Sequence, residues 1–143
     1  METLERQQIE AALMRRGGAE ADSAQIASAI VSIWQEIAAG LNPIIGKGGV
    51  DALYQRSLYL TSTAAHPWLM TAHRRSPAAM DLDALKSALT EQDSANATAG
   101  GAALLHTFYA LLSSLIGAAL TDRVLHTIRL NFLRELPEQD NQP

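Results

Sequence analysis

The chain has 143 residues, the usual size of one domain, and 48% of them are hydrophobic. Charged residues make up only 18%, below the usual share of about 25%, so more of the surface than usual is expected to be covered. The net charge of −4 argues against a nucleic-acid partner, because non-specific binders present a basic field to phosphates. The chain has no cysteine, which excludes disulfides, thiolate metal sites and cysteine nucleophiles.

Apolar residues recur with helical spacing, which predicts an all-α fold. A first helix is expected over residues 3–15, ended by the sequence RRGG. A second begins near Asp22 or Ser23, both good N-cap residues, and Pro43 should end or kink it after residue 41. A third is expected over residues 50–63.

The second half of the chain continues the helical pattern. Residues 67–73 predict a short helix that the basic run His73, Arg74 and Arg75 closes. Asp81 is expected to cap a further helix, and residues 94–116 a long one whose Gly100 and Gly101 allow close approach of a neighbour. The last is predicted over residues 122–136 after a cap at Thr121, with Pro137 stopping it.

These elements predict a single-domain helical bundle of about six helices over residues 1–136, followed by a flexible polar tail over residues 137–143. Four long helices should form the core, at residues 22–41, 50–63, 94–116 and 122–136. The helices at residues 3–15 and after Asp81 are shorter and should cover it. The charged N-terminus METLERQQIE has no apolar signal core, so the expected location is cytoplasmic.

Residues 94–121 contain no charged side chain, and part of this stretch is as long as a membrane-spanning helix. It nevertheless carries polar residues such as His106, Tyr109 and Ser113, which favours a buried central helix and predicts no membrane span. The pattern leaves open whether its second, small and mildly polar face belongs to the core or to an interface between subunits.

The stretch NPIIGKGGVD places a lysine among three glycines before a helix. A nucleotide-binding P-loop needs a different glycine spacing and a Ser or Thr after the lysine, and both are missing here. The stretch therefore predicts the end of one helix and the start of the next. Lys47, Gly48 and Gly49 are the candidates for a generic anion site at the helix N-terminus.

The four histidines have no metal-binding spacing, and no metal site or cofactor is predicted. The helical outline, the length and the acidic charge resemble histidine phosphotransfer domains, with His106 in HTFYALLSSLIG as the phosphoacceptor. That family has a lysine and a glycine one turn after its histidine, whereas this chain has Tyr109 and Ala110. His106 and Tyr109 are therefore candidates for either a phosphoacceptor site or an interface.

A ligand pocket is the other candidate site. Trp68 follows Pro67 in a connecting segment, where its ring could close one end of the bundle or line an apolar pocket between the helices at 22–41, 50–63 and 94–116. Arg56, Tyr59 and His66 would supply the polar groups of such a pocket. No nucleophile, base and orienting group come together in the sequence, so an enzyme is not predicted.

The sequence therefore predicts a non-catalytic regulatory or protein-interaction module, a homodimeric helical bundle in bacterial-type signalling or regulation, with an unidentified protein partner. Low charge and two helices that are apolar beyond one stripe are the basis of this hypothesis. The alternatives are a protein that binds a small apolar ligand or cofactor and a divergent histidine phosphotransfer protein that uses His106.

Overall fold

The computed structural model describes residues 22–124 and 126. Within them the chain is all-α and has no strand, which confirms the predicted class. The elements with both ends described are α1 (Ser23–Ala64), a 3-10 helix (Pro67–Leu69), α2 (Met70–Arg75), α3 (Leu82–Thr90) and α4 (Ser94–Ile116). The described part thus has five such helices where about six were expected. The predicted helix at 3–15 and the tail at 137–143 lie outside the described residues.

Helix α1 joins the two helices predicted at 22–41 and 50–63 and bends sharply at Gly46. Pro43 lies inside it and does not end it, which corrects that boundary. Gly46 has φ 81° and ψ 159°, a conformation that is open almost only to glycine because it has no Cβ. The bend divides α1 into a first arm (residues 23–45) and a second arm (residues 47–64).

The two arms fold back on each other, and α4 packs against both. The ring of Trp34 on the first arm meets Tyr54 on the second arm and Phe108 on α4, at centroid distances of 5.1 and 4.9 Å. Thr61 on the second arm donates a hydrogen bond to Thr107 on α4 over 3.1 Å. These contacts place the centre of the core between the arms and α4.

Aspartates cap three of the helices. Asp22 forms a reciprocal capping box with Gln25 at the start of α1. Asp81 and Asp93 accept backbone hydrogen bonds at the starts of α3 and α4, as the sequence predicts for Asp81. Helix α4 has the predicted bounds, Ser94–Ile116.

Two predictions about the smaller elements need correction. Helix α3 was expected to be a cover, but Ala84, Leu85, Ala88 and Leu89 belong to the buried core cluster. Residues 118–124 are also helical, so a helix begins directly after Gly117 and not after a cap at Thr121. Thr121 is buried within that segment. The remainder of the helix predicted to residue 136 lies almost entirely outside the described residues.

Candidate functional site

The predicted anion site lies in the first turn of the second arm, immediately after the bend at Gly46. Lys47 Nζ forms an ion pair with Asp51 Oδ2 at 2.9 Å, one helical turn away. The backbone at Gly48 faces open space, whereas a Cβ on Gly49 would lie 3.3 Å from the side chain of Ile45. Asp51 offsets the charge that Lys47 would offer an anion, so anion binding here stays a prediction.

The four predicted ligand residues, Arg56, Tyr59, His66 and Trp68, do not line one described pocket, and only His66 and Trp68 pair with each other. Tyr59 is 46% exposed, and its ring faces His73 at a centroid distance of 6.1 Å. His66 faces Trp68 at 6.2 Å, and burial lowers the pKa of His66. Arg56 is exposed on the second arm. The ligand site predicted from these residues therefore has no described pocket to support it.

The space between the arms and α4, where the pocket was expected, contains the ring cluster of Trp34, Tyr54 and Phe108. All three side chains are almost completely buried. Trp34 Nε1 and Tyr54 Oη have no hydrogen-bond partner in the described part of the chain. Burial, and secondarily the negative charge of Asp81, raises the pKa of Tyr54. This cluster fills the centre of the bundle with aromatic side chains.

Gln55 organises a polar network that the sequence analysis did not identify. The side chain is 6% exposed, and its Nε2 donates to the carbonyl oxygen of Ser76 over 2.6 Å and to that of Ala79. Because both carbonyls accept, the remaining Oε1 must accept as well. His73 Nδ1, at 2.6 Å from Oε1, is therefore the donor, and His73 Nε2 carries no proton in the neutral ring.

Asp81 and Asp51 hold the rest of the connector between α2 and α3. Asp81 accepts hydrogen bonds from Ser76 Oγ at 2.5 Å and from the Ala84 amide at 3.1 Å. These bonds, led by that from Ser76, lower the pKa of Asp81. Asp51 accepts from the Met80 amide at 3.1 Å. The sequence predicted Asp81 only as a helix cap, and it did not mark the bond between Ser76 and Asp81 or the bond from the Met80 amide to Asp51, 29 residues away.

His106 and Tyr109, the candidate phosphoacceptor or interface residues on α4, lie in different environments. The phenol of Tyr109 donates a hydrogen bond to Asp122 Oδ1, which joins α4 to the helical residues 118–124. His106 is half-buried on the side of α4 that faces away from the Leu104 and Phe108 core stripe. A phosphoacceptor role for His106 stays a prediction.

A groove of about 790 Å³ lies elsewhere, between the C-terminal end of the second arm and the segment that contains the 3-10 helix and α2. Its lining residues are Ser62, Thr63, Pro67, Met70, Thr71, Arg74 and Arg75. None of the predicted ligand residues is among them. Arg74 and Arg75 were predicted from the sequence only to close a helix.

Metal ligands and helices long enough to span a membrane are two general features that bear on function. Across residues 22–124 and 126, no group of three or more His, Cys, Asp or Glu side chains could hold a metal ion. Helices α1 and α4 are long and apolar enough to cross a membrane, with mean hydropathies of 1.2 and 1.4 over their most apolar windows. A core helix passes the same criterion, and 44% and 39% of those windows are buried inside the protein. The length and hydropathy of these two helices therefore fit a position in the core as well as a membrane span.

Comparison of the chain with models of known protein families, with curated proteins and with solved structures found no match. The residues and their geometry are therefore the basis for a proposed function.

Proposed function

We propose that this protein is a non-catalytic regulatory or protein-interaction module that works as a homodimer, paired through the outward face of α4. The observation that carries this proposal is the composition of that face. Its residues follow each other at intervals of three and four, are exposed or half-buried, and carry no charge: Ala95, Ala99, Ala103, His106, Ala110 and Ser114.

A long helix with an uncharged outer face is unusual on a protein surface, where charged residues normally dominate the solvent side. Small side chains let a neighbouring helix approach closely. The face extends along a helix of 23 residues, about 35 Å at 1.5 Å per residue. Leu115 and Leu120, which are 60% and 39% exposed, add apolar surface near its C-terminal end.

A second copy of the chain suits this face better than a charged partner does. In a two-fold interface the same patch meets itself, so any charge at its centre would face a like charge. This face has no charge to repel its own copy, and none to attract a complementary partner. The low proportion of charged residues in the whole chain agrees with a covered surface.

The polar groups described elsewhere support a non-catalytic role. Gln55, Asp51 and Asp81 are occupied in holding the connector between α2 and α3. Their hydrogen bonds thus have a structural purpose within the bundle.

Sedimentation equilibrium at micromolar concentration tests the pairing. We expect the unaltered chain to be a dimer and Ala99→Glu, which places like charges on the paired face, to be a monomer with unchanged helical circular dichroism. Ala52→Glu is the matched control, since Ala52 is exposed on the second arm, away from the outward stripe of α4. This control should remain a dimer. If the unaltered chain is a monomer, or if Ala99→Glu and Ala52→Glu dimerise equally, the proposal is wrong.

A further inference from the structure

The groove beside α2 is lined by two arginines, by three residues that carry hydroxyl groups and by the apolar residues Pro67 and Met70. Arg74 and Arg75 lie at the end of α2, whereas Ser62 and Thr63 come from the second arm of α1. The volume of about 790 Å³ falls in the range of small-molecule sites, roughly 300–1,000 Å³. The groove is therefore a joint product of two elements and not a property of one helix end.

Neither guanidinium has an ion-pair partner within residues 22–124 and 126, whereas Lys47 is paired with Asp51. Arg75 contributes to lowering the pKa of Asp81 without forming a salt bridge with it. Basic residues at a helix C-terminus complement the helix dipole, which would account for Arg74 and Arg75 without any ligand. That role does not require both side chains to line one groove with residues from α1.

The hydroxyl groups in the groove divide into two kinds. Ser62 Oγ donates to the carbonyl oxygen of Tyr59 at 2.8 Å, and Thr63 Oγ1 donates to that of Leu60 at 3.1 Å. Ser62 Oγ also lies 3.9 Å from Met70 Sδ, a second acceptor. Both hydroxyl protons therefore have acceptors within the protein, and these groups offer a ligand only acceptor lone pairs. Thr71 is exposed in the groove with no described hydrogen bond, so its hydroxyl can donate.

We propose that this groove binds a small organic phosphate, with the phosphate on Arg74, Arg75 and Thr71 and the organic part against Pro67 and Met70. Two adjacent guanidiniums match the charge of a phosphate monoester and bind its oxygens through short, charge-assisted hydrogen bonds. The apolar surface of Pro67 and Met70 favours an ester over inorganic phosphate. This site is separate from the outward face of α4, so it does not depend on the proposed homodimer.

Titration with phenyl phosphate at constant ionic strength, followed by amide chemical shifts, tests the site in solution. We expect saturable shifts at Thr63, Thr71 and Arg74, and weaker binding of inorganic phosphate. Arg74→Gln and Arg75→Gln should each weaken the binding of phenyl phosphate about tenfold or more, because each removes charge-assisted hydrogen bonds. Thr71→Val should weaken it less.

Lys86→Gln is the matched control, because it removes one positive charge from an exposed position on α3 that does not line the groove. The affinity of this variant should stay within about twofold of the unaltered chain, since Lys86 is exposed and does not line the groove, and isolated surface charges contribute little. If Lys86→Gln weakens binding as much as Arg74→Gln does, the attraction is non-specific and the proposal is wrong.

A phosphate monoester also occurs as a lipid headgroup, so a second experiment, with lipid vesicles, identifies the source of the ligand. The chain is sedimented with vesicles of phosphatidylcholine that do or do not contain phosphatidic acid. Binding to the phosphatidic acid vesicles that is lost in Arg74→Gln, without binding of phenyl phosphate, assigns the groove to a lipid headgroup. Binding of phenyl phosphate assigns it to a free ester. If neither the titration nor the vesicle experiment shows binding that depends on Arg74, the proposal is wrong.

Discussion

At the residue scale, the adjacent glycines in α4 are explained by their neighbours. A Cβ on Gly100 would lie 2.3 Å from Cζ2 of Trp68, and one on Gly101 would lie 2.2 Å from Cδ1 of Ile30. Glycine inside a helix costs about 1 kcal/mol relative to alanine. The two glycines lower the helix propensity of α4 but allow Trp68 and Ile30 to pack closely against it. This confirms the close approach predicted from the sequence.

Three glycine-to-alanine variants separate packing from propensity. Gly100→Ala should lower the free energy of unfolding by about 1–3 kcal/mol, because a rigid indole must move to admit the methyl group. Gly101→Ala should cost less, because it meets the terminal methyl of Ile30, which can rotate. Gly48→Ala should stabilise by about 0.5–1 kcal/mol, because its helical position faces open space. Urea unfolding followed by circular dichroism measures all three. A Gly100→Ala variant as stable as the original chain would contradict this account.

At the element scale, Gln55 joins the second arm of α1 to α2 and to the connector after it. One side chain satisfies two backbone carbonyls and orients His73. Backbone carbonyls in a connector have no regular partner, and leaving them unsatisfied when buried is costly. A single amide on a rigid helix therefore fixes two points of the chain between α2 and α3, together with the bonds that Asp51 and Asp81 make to the same connector.

Removing this amide should destabilise the protein strongly. Gln55→Ala leaves Ser76 O, Ala79 O and His73 Nδ1 without their partner, and we expect a loss of about 2–4 kcal/mol in the free energy of unfolding. Gln55→Glu retains the size but cannot donate to two carbonyls, so it should also destabilise. Gln35→Ala is the matched control on the exposed side of the first arm and should change stability by less than about 0.5 kcal/mol. Equal losses in Gln55→Ala and Gln35→Ala would show that the network contributes nothing.

At the scale of the whole molecule, stability should fall in two steps as the solution becomes acidic. Burial lowers the pKa of His66 from 6.5, so the unfolded chain takes up this proton first. The stability that neutral His66 contributes is complete above pH 6.5 and is lost as the pH falls through the folded pKa. The pKa of Asp81 is lowered from 3.8 by its hydrogen bonds, so its contribution is complete above that value and is lost at lower pH.

Two variants assign these steps. In His66→Gln the dependence of stability just below pH 6.5 should weaken relative to the unaltered chain. In Asp81→Asn the dependence below about pH 4 should weaken, while asparagine still caps α3. The measurement is the free energy of unfolding in urea from neutral pH to pH 3. If each variant keeps the full pH profile of the unaltered chain, these two groups do not carry the steps.

Short-range signals in the sequence determined where several helices begin and end. Asp81 and the run over residues 94–116 predicted the starts of α3 and the bounds of α4, because capping and apolar periodicity act within a few residues. A short helix with a basic end was likewise predicted over residues 67–73, but the structure divides this stretch into the 3-10 helix and α2, which ends at Arg75. All-α architecture follows from the same local patterns.

The tertiary structure decided what local patterns do not encode. The stretch NPIIGKGGVD predicted a break between two helices, but only the structure placed this break at Gly46, whose φ of 81° is open almost only to glycine, and not at Pro43. The network around Gln55 was not predicted, because the partners of its side chain lie 18 to 24 residues away in sequence. The groove at Arg74 and Arg75 exists only because the end of α1 packs beside α2. Contacts between distant residues arise from the packing of whole helices, and no short stretch of sequence specifies them.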